Sequence, residues 1–209
     1  MAPLGDEVSK APKFPRNGTW LNHPNFSKKA FKKGMTLVNF WDYSAVVCVR
    51  EVDKLNRLYK HYQPYGLRML WVHSPEFEFA KKKQNVDRAV HRLRIPYPVY
   101  LDNDFKLWDS YKVHSWPTKF LVNKKRVILD KHVGEGRYYE LEEKVRRELM
   151  ELNPRVLLPA HLFEEDHETL DPVECGEMSG ETYAGHKQWW AGGIANRKWV
   201  RQNETQMFK

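Results

Sequence analysis

One stretch of the sequence decides the fold, and it reads Leu37-Val38-Asn39-Phe40-Trp41-Asp42-Tyr43-Ser44-Ala45-Val46-Val47-Cys48-Val49-Arg50. Its first part, together with Met35 and Thr36, forms a short apolar run that is rich in β-favouring side chains. Such a run is typical of a strand that is buried on both faces. After it, apolar residues recur at the spacing of one helix face, at Val52, Leu55, Leu58, Tyr59 and Tyr62. The sequence therefore predicts a buried strand, a turn and an amphipathic helix.

The alternation of strands and helices continues to residue 152. Further apolar runs predict strands over residues 67–72, 98–101, 118–122 and 127–132. Helices are predicted over residues 85–93, over 104–111 with Asp104 as the N-cap, and over 138–152. This alternation implies right-handed crossovers and a mostly parallel sheet, to which a closing hairpin adds an antiparallel edge. The predicted class is α/β, with a central mixed sheet flanked by helices, a layout that resembles the thioredoxin-like fold.

The 209 residues divide into a central domain and two extensions. Residues 1–17 are polar and contain several prolines, which predicts an extended N-terminal arm. Residues 18–153 are predicted to form the thioredoxin-like domain, and residues 154–209 a C-terminal extension. The extension contains three tryptophans that could anchor it in the pockets of a partner: Trp189, Trp190 and Trp199. We interpret it as an arm that binds other protein subunits; the alternative is that it packs on its own domain.

Several motifs in the central domain resemble one branch of the thioredoxin-like superfamily. The stretch 37–50 resembles the active-site strand and turn of the TlpA/ResA-like branch and, more narrowly, of the thioredoxin domain of DipZ-type proteins. The same resemblance extends to Gly18-Thr19-Trp20-Leu21-Asn22, Val72-His73-Ser74-Pro75-Glu76-Phe77-Glu78-Phe79, Tyr97-Pro98-Val99-Tyr100-Leu101-Asp102-Asn103-Asp104, Trp116-Pro117-Thr118-Lys119 and Gly134-Glu135-Gly136. It covers roughly residues 18–150 and implies a family whose members exchange dithiols and disulfides.

Two positions depart from the pattern that the resemblance implies. The family has an attacking cysteine three residues before the resolving cysteine, and here these positions are Ala45 and Cys48. The family also has a buried carboxylate on the preceding strand, and here that position is Asn39, which cannot take up a proton at neutral pH. Exchange needs a nucleophile and a resolving thiol. The two losses predict a degenerate site; an engineered Ala45 would explain only one of them.

A peptide-binding groove is a separate expectation from the resemblance. Pro117 matches the family's cis-proline, and with Trp116, Trp41 and Tyr43 it could form a groove for an extended peptide. The alternative is a plain structural turn at Trp116 and Pro117.

Cys48 allows other interpretations as well. It could be the reactive thiol of a peroxidase, it could pair with Cys175, or it could be a buried and inert thiol, which we favour. Four tail residues could bind zinc, but their spacing fits no compact knuckle, so we predict no metal and no cofactor: His161, His167, Cys175 and His186.

The formal net charge of +8 is spread along the first three quarters of the chain and reverses in the tail. A nucleic-acid-binding protein usually concentrates its charge on one element, so no specific nucleic-acid partner is predicted. No apolar run approaches the length of a membrane span, and residues 1–10 lack the apolar core of a secretory signal. Peripheral contact with an anionic membrane stays open, and so does the compartment, an organelle such as the mitochondrion or a periplasm.

The sequence therefore predicts a redox-degenerate thioredoxin-like protein that acts as a non-catalytic accessory or assembly subunit of a larger complex. The first alternative is a single-thiol oxidoreductase or peroxidase that uses Cys48. The second is a peptide-binding, chaperone-like module.

Overall fold

The computed structural model describes residues 10–15, 18–22 and 34–164 of the chain. These residues contain six strands: β1 (Trp20–Leu21), β2 (Met35–Trp41), β3 (Leu67–His73), β4 (Val99–Leu101), β5 (Thr118–Val122) and β6 (Ile128–Val133). They also contain five α-helices: α1 (Val46–Arg50), α2 (Val52–Tyr62), α3 (Lys83–Arg92), α4 (Lys106–Ser110) and α5 (Tyr138–Leu152). The bounds of β2, β5 and α5 are those predicted from the sequence.

The strands form one mixed sheet in the order β1-β4-β3-β2-β5-β6. The central strand β2 pairs in parallel with β3 and antiparallel with β5, so that Asn39 lies between Trp71 and Lys119. The hairpin of β5 and β6 forms one antiparallel edge, as predicted. The other edge is β1, a short strand antiparallel to β4 that the sequence analysis missed. The prediction of an α/β, thioredoxin-like fold is confirmed.

Every residue of β2 is buried, because the sheet is covered on both faces. One face packs Trp41 against the apolar side of α2 and against Trp71 of β3. The other face packs Phe40 against Phe120 of β5 and against Tyr111, which also contacts Phe14 of the N-terminal segment. The uninterrupted apolar run in the sequence therefore reflects burial on two sides rather than an alternating, half-exposed strand.

The helix predicted over 104–111 is shorter, and the predicted N-cap is wrong. In the structure α4 spans Lys106–Ser110, and Asp104 instead forms an exposed ion pair with Lys106. The capping carboxylate belongs to Asp102, whose two oxygens accept hydrogen bonds from the backbone N–H groups of Leu107 and Trp108 at 3.0 and 2.9 Å. Asp102 is buried, and these N–H groups would otherwise lack partners.

Both predicted extensions contain residues that pack on the domain. In the N-terminal segment, Ala11 is buried and its N–H donates to the carbonyl of Arg126 at 2.7 Å. At the other end, the buried carboxylate of Glu142 on α5 accepts hydrogen bonds from the N–H groups of Leu162 and Phe163 at 2.7 and 2.9 Å. Residues 154–164 thus lie against α5, whereas the predicted role of the rest of the extension stays a prediction.

Candidate functional site

The turn between β2 and α1, residues 42–45, is organised by one buried carboxylate, and we call it the Asp42 turn. One oxygen of Asp42 accepts the N–H of Ser44 at 3.0 Å, and the other accepts the hydroxyl of Ser44 at 2.6 Å. The second oxygen also accepts the N–H of Glu76 at 2.8 Å. Burial opposes ionisation of Asp42, but the hydrogen bonds from His73, Ser44 and Glu76 outweigh it and lower the pKa of the carboxyl. Asp42 thus fixes the turn as an anion.

His73, the last residue of β3, supports the Asp42 turn from inside the protein. Its Nε2 lies 3.2 Å from the carboxylate of Asp42, and neither side chain is exposed. The ring of Tyr43 stacks on His73 at 5.4 Å, and the ring of Trp41 meets His73 edge-on at 5.5 Å. The orientation of Tyr43 at the surface is therefore set by a buried histidine.

Ala45 and Cys48 occupy the positions where the resemblance implies the attacking and the resolving cysteine. Ala45 is the N-cap of α1, has no side-chain cap, and accepts the N–H of Cys48 with its carbonyl at 3.0 Å. Cys48 lies in the first turn of α1 with no exposed surface, and its thiol is free of any disulfide. Of these two positions, the buried one, Cys48, has a thiol, and the more accessible one, Ala45, does not.

The thiol of Cys48 is held in its protonated form. Burial raises its pKa to about 12, and the nearby carboxylates of Glu51 and Asp42 add to the effect. A hydrogen bond with the backbone of Asp42 and the charge of Lys119 act in the opposite direction, but they are weaker. Because the thiolate is the reactive form, Cys48 lacks the electrostatic surroundings of an activated nucleophile.

A buried ion pair beside Cys48 was missed by the sequence analysis. Glu51, at the junction of α1 and α2, has a carboxylate oxygen 2.6 Å from Nζ of Lys119 on β5, and both side chains have no exposed surface. Lys119 also donates to the carbonyl of Gly134 at 2.8 Å. A carboxylate therefore lies near Cys48, although the position to which the resemblance assigns one is Asn39.

Glu51 places a buried carboxylate next to the amide of Asn39. The amide of Asn39 lies 3.5 Å from an oxygen of Glu51. Burial raises the pKa of Glu51 to about 7, although Lys119 and Asn39 both favour the charged form. Glu51 can therefore exchange a proton near neutral pH beside the thiol. The sequence did contain a signal, since Glu51, Leu55, Leu58 and Tyr62 lie on one helix face, and a glutamate on an apolar face needs a buried partner.

The predicted peptide groove is only partly accessible. Trp116 and Pro117 are joined by a cis peptide bond, as expected for the family's cis-proline position. Trp116 is half-buried and contacts Trp108, with ring centroids 4.5 Å apart and the rings tilted by 42°. Trp41 is fully buried, so its assignment to a surface groove is wrong: it is a core residue that packs on Trp71. Tyr43 and Trp116 remain as accessible candidates.

Several predicted residues lie outside the described part of the chain. These are the partner-binding tryptophans and the tail residues considered for a disulfide or for zinc: Trp189, Trp190, Trp199, His167, Cys175 and His186. Within residues 10–15, 18–22 and 34–164, no three histidine, cysteine or acidic side chains come together as a metal site. In the same residues no helix combines the length and the apolar character that crossing a membrane requires.

Comparison with known proteins finds relatives among the DipZ proteins and the ResA thiol-disulfide oxidoreductases. DipZ of Mycobacterium tuberculosis is 32% identical over 169 residues, which are 79% of this chain and 24% of DipZ. The chain therefore spans about a quarter of the length of the DipZ proteins that it matches. The thiol-disulfide oxidoreductase ResA of Bacillus cereus is 31% identical over 124 residues, which are 59% of this chain and 69% of ResA.

Solved structures share the fold. A thioredoxin-like protein in its oxidised form has a TM-score of 0.61 at 23% identity, and the match covers 68% of this chain and 95% of that protein. A thiol-disulfide isomerase from Corynebacterium glutamicum has a TM-score of 0.59 at 17% identity, covering 66% of this chain and 96% of that protein. A family model, described as the AhpC/TSA family, matches residues 9–131. Because this match covers more than half of the chain and the described domain has the thioredoxin-like fold, the chain belongs to the AhpC/TSA family of thioredoxin-like proteins.

Proposed function

We propose that this thioredoxin-like domain does not exchange disulfides on its own, and that it acts as a non-catalytic, protein-binding accessory subunit or domain of a larger assembly. Its relatives include thiol-disulfide oxidoreductases such as ResA, so the fold comes from a redox family. The match to one quarter of DipZ supports the idea that such a domain works beside other domains or chains.

One observation carries the proposal, and it is the state of the two cysteine positions. The accessible position is Ala45, and the thiol three residues later belongs to Cys48, which is buried and has a pKa raised to about 12. Attack on a substrate disulfide needs an accessible thiolate, and release of the mixed disulfide needs a second thiol. The described part of the site supports neither step.

The test is a gain of function at Ala45. We expect the wild-type chain to reduce insulin disulfides no faster than the reductant alone, and the Ala45→Cys variant to accelerate that reduction clearly. The reason is that α1 already has the geometry for a thiol at its N-cap, three residues before Cys48. An Ala45→Ser variant, which has the same shape without sulfur, is the matched control and should stay at the wild-type level. Turnover by the wild-type chain would contradict the proposal.

A second candidate function is favoured by the Glu51–Lys119 pair. A carboxylate with a pKa near 7 beside a buried thiol could accept its proton if the Asp42 turn opens, which would suit a single-thiol oxidoreductase or peroxidase that uses Cys48. Such an enzyme needs an external thiol to resolve the oxidised Cys48.

Thiol labelling separates the two functions. A single-thiol enzyme should react quickly with iodoacetamide at Cys48 in the folded protein, and Glu51→Gln should slow that reaction. The non-catalytic proposal predicts slow labelling that becomes fast only in denaturant, with no effect of Glu51→Gln in the folded state. The Cys48→Ser variant corrects for labelling of Cys175.

A further inference from the structure

A cavity of about 300 Å³ lies between the Asp42 turn and α3, away from the thiol of Cys48. Its lining is an aromatic wall and one face of α3: Tyr43, Phe79, Asn85, Arg88, Ala89 and Arg92. This combination of aromatic rings and two arginines was not predicted from the sequence and has no part in the surroundings of Cys48.

The aromatic wall is built from rings at the surface that are held in place. Tyr43 meets Phe79 edge-on at 6.3 Å, and from below it stacks on the buried ring of His73. Phe79 in turn stacks on Phe77 at 5.5 Å, with the two rings only 7° from parallel. Phe77 and Phe79 are 48% and 49% exposed. Two large aromatic side chains half in water beside a cavity are typical of a binding surface.

The opposite wall carries positive charge. Arg88 and Arg92 are exposed and lie four residues apart, so they share one face of α3. Neither guanidinium forms an ion pair with any residue that the structure describes. A guanidinium beside an apolar wall binds a carboxylate well, because its fork of N–H groups matches both oxygens.

The two walls are joined rigidly. The side-chain amide of Asn85 on α3 donates to the carbonyl of Phe79 at 2.9 Å, which ties the aromatic loop to the helix. Ala89, which is buried, leaves room between the walls. A cavity whose walls are already fixed loses little conformational entropy when it is filled.

We propose that this cavity binds an extended segment of a partner protein in which an apolar or aromatic side chain lies next to acidic residues. The apolar side chain enters between Tyr43 and Phe79, and the carboxylates pair with Arg88 and Arg92. The inference rests on the proposed protein-binding function and gives it a surface and a partner chemistry.

A nucleic acid fits the cavity less well than an acidic peptide. Glu76 and Glu78 flank Phe77 on the same loop, so a chain of phosphates that stacked its bases on the aromatic pair would meet negative charge there. A peptide with acidic residues only on the arginine side avoids this repulsion.

The experiment measures binding of short fluorescein-labelled peptides to the full chain by fluorescence anisotropy. The probe peptide has one Phe followed by two Glu in a Gly/Ser background; one comparison peptide has Lys in place of Glu, and another has Gly in place of Phe. We expect the probe to bind more tightly than both, and its affinity to fall with added salt. Arg88→Glu and Arg92→Glu should each weaken binding about tenfold, since each removes a charge-assisted hydrogen bond and adds repulsion.

Lys83→Glu is the matched control, because it makes the same charge change on α3 without touching the cavity. It should leave the affinity for the probe within about twofold, and Phe79→Ala should weaken binding as the arginine variants do. The proposal is overturned if the probe does not bind, if Lys83→Glu weakens binding as much as Arg88→Glu, or if a single-stranded oligonucleotide binds more tightly than the probe. Circular dichroism of each variant checks that it is folded.

Failure of this inference can be told apart from failure of the proposed function. Insulin reduction by the same wild-type preparation tests whether the domain is catalytic, independently of any peptide. An inactive chain whose probe affinity ignores Arg88→Glu contradicts the cavity alone, whereas a catalytically active chain contradicts the proposed function whatever the peptide does.

Discussion

At the scale of single residues, Ala45 and Asn39 are the two positions that differ from the pattern implied by the resemblance. Ala45 carries no thiol, whereas the amide of Asn39 lies 3.5 Å from a carboxylate oxygen of Glu51. A carboxylate is therefore present beside Asn39, although not at the position to which the resemblance assigns one. A comparison of sequences position by position finds two differences and misses the nearby carboxylate. Glu51 and Asn39 come together only in the folded structure.

Glu51 should make the stability of the domain depend on pH. Its pKa is about 7 in the folded protein against 4.5 for a free glutamate, so the folded state binds more protons than the unfolded state between these values. The stability that Glu51 contributes is therefore full below pH 4.5 and is lost as the pH rises through 7. We expect the free energy of unfolding of the wild-type chain to fall over this range relative to Glu51→Gln.

Urea unfolding at several pH values measures this difference. His132, which is buried with a pKa lowered to about 4, acts in the opposite direction but is common to both proteins and cancels. The double variant Glu51→Gln with Lys119→Met removes the partner's charge as well and should titrate no more steeply than Glu51→Gln. Parallel pH profiles for the wild type and Glu51→Gln would mean that folding does not raise the pKa of Glu51.

At the scale of elements, the Asp42 turn and the start of α4 are stabilised in the same way. In each, a buried aspartate accepts hydrogen bonds from backbone N–H groups where the chain changes direction. Asp42 receives the N–H groups of Ser44 and Glu76, and Asp102 receives those of Leu107 and Trp108. Both aspartates directly follow a strand of the sheet. The turns are therefore fixed by side chains inside the protein rather than by glycine or proline.

Removal of Asp42 should cost more stability than removal of Asp104, although both aspartates lie in turns. Asp42→Ala leaves the buried imidazole of His73 and three part-buried donors of Ser44 and Glu76 without this acceptor, and we expect it to lower the free energy of unfolding by about 3 kcal/mol. Asp104→Ala breaks an exposed ion pair with Lys106 and should cost less than about 1 kcal/mol. Chemical denaturation of the two variants makes the comparison; equal losses would contradict the role of Asp42 as the acceptor that holds the turn.

The sequence predicted elements where the local pattern is decisive and missed features that depend on distant residues. The runs of β2 and β5 and the period of α5 were sufficient to give their bounds. The cap of α4 was missed because Asp102 lies five residues before the first N–H that it binds, outside the local capping pattern. The Glu51–Lys119 pair was missed because the two residues meet only when β5 pairs with β2.

At the scale of the whole molecule, the position of Ala45 and the cavity lined by Arg88 and Arg92 are distinct places. Tyr43 lines the cavity, whereas Ala45 and Cys48 do not. This separation is why the two proposed properties can be tested on one preparation with different variants.

The tail should govern assembly without governing the fold of the domain. We expect deletion of residues 176–209 to leave the melting temperature of the domain unchanged, since residues 34–164 already contain the whole sheet apart from β1 and all five helices. The same deletion should release the chain from its native complex, which size-exclusion chromatography of the protein from its source would detect. A full-length variant with alanine at Trp189, Trp190 and Trp199 tests whether these three side chains are the part of the tail that binds the complex. If the truncated chain still eluted with the complex, the tail would not be the binding arm.

The contacts of Glu142 determine where this domain can be cut. A fragment that ends at Asn153 contains every helix and strand that the structure describes, but it lacks Leu162 and Phe163, whose N–H groups bind the buried carboxylate of Glu142. A fragment that ends at Glu164 keeps both. The shorter fragment should melt at a lower temperature and be digested faster by proteases, so anyone who expresses the domain alone, or grafts it onto another protein, has to carry eleven residues beyond the last helix and its cap.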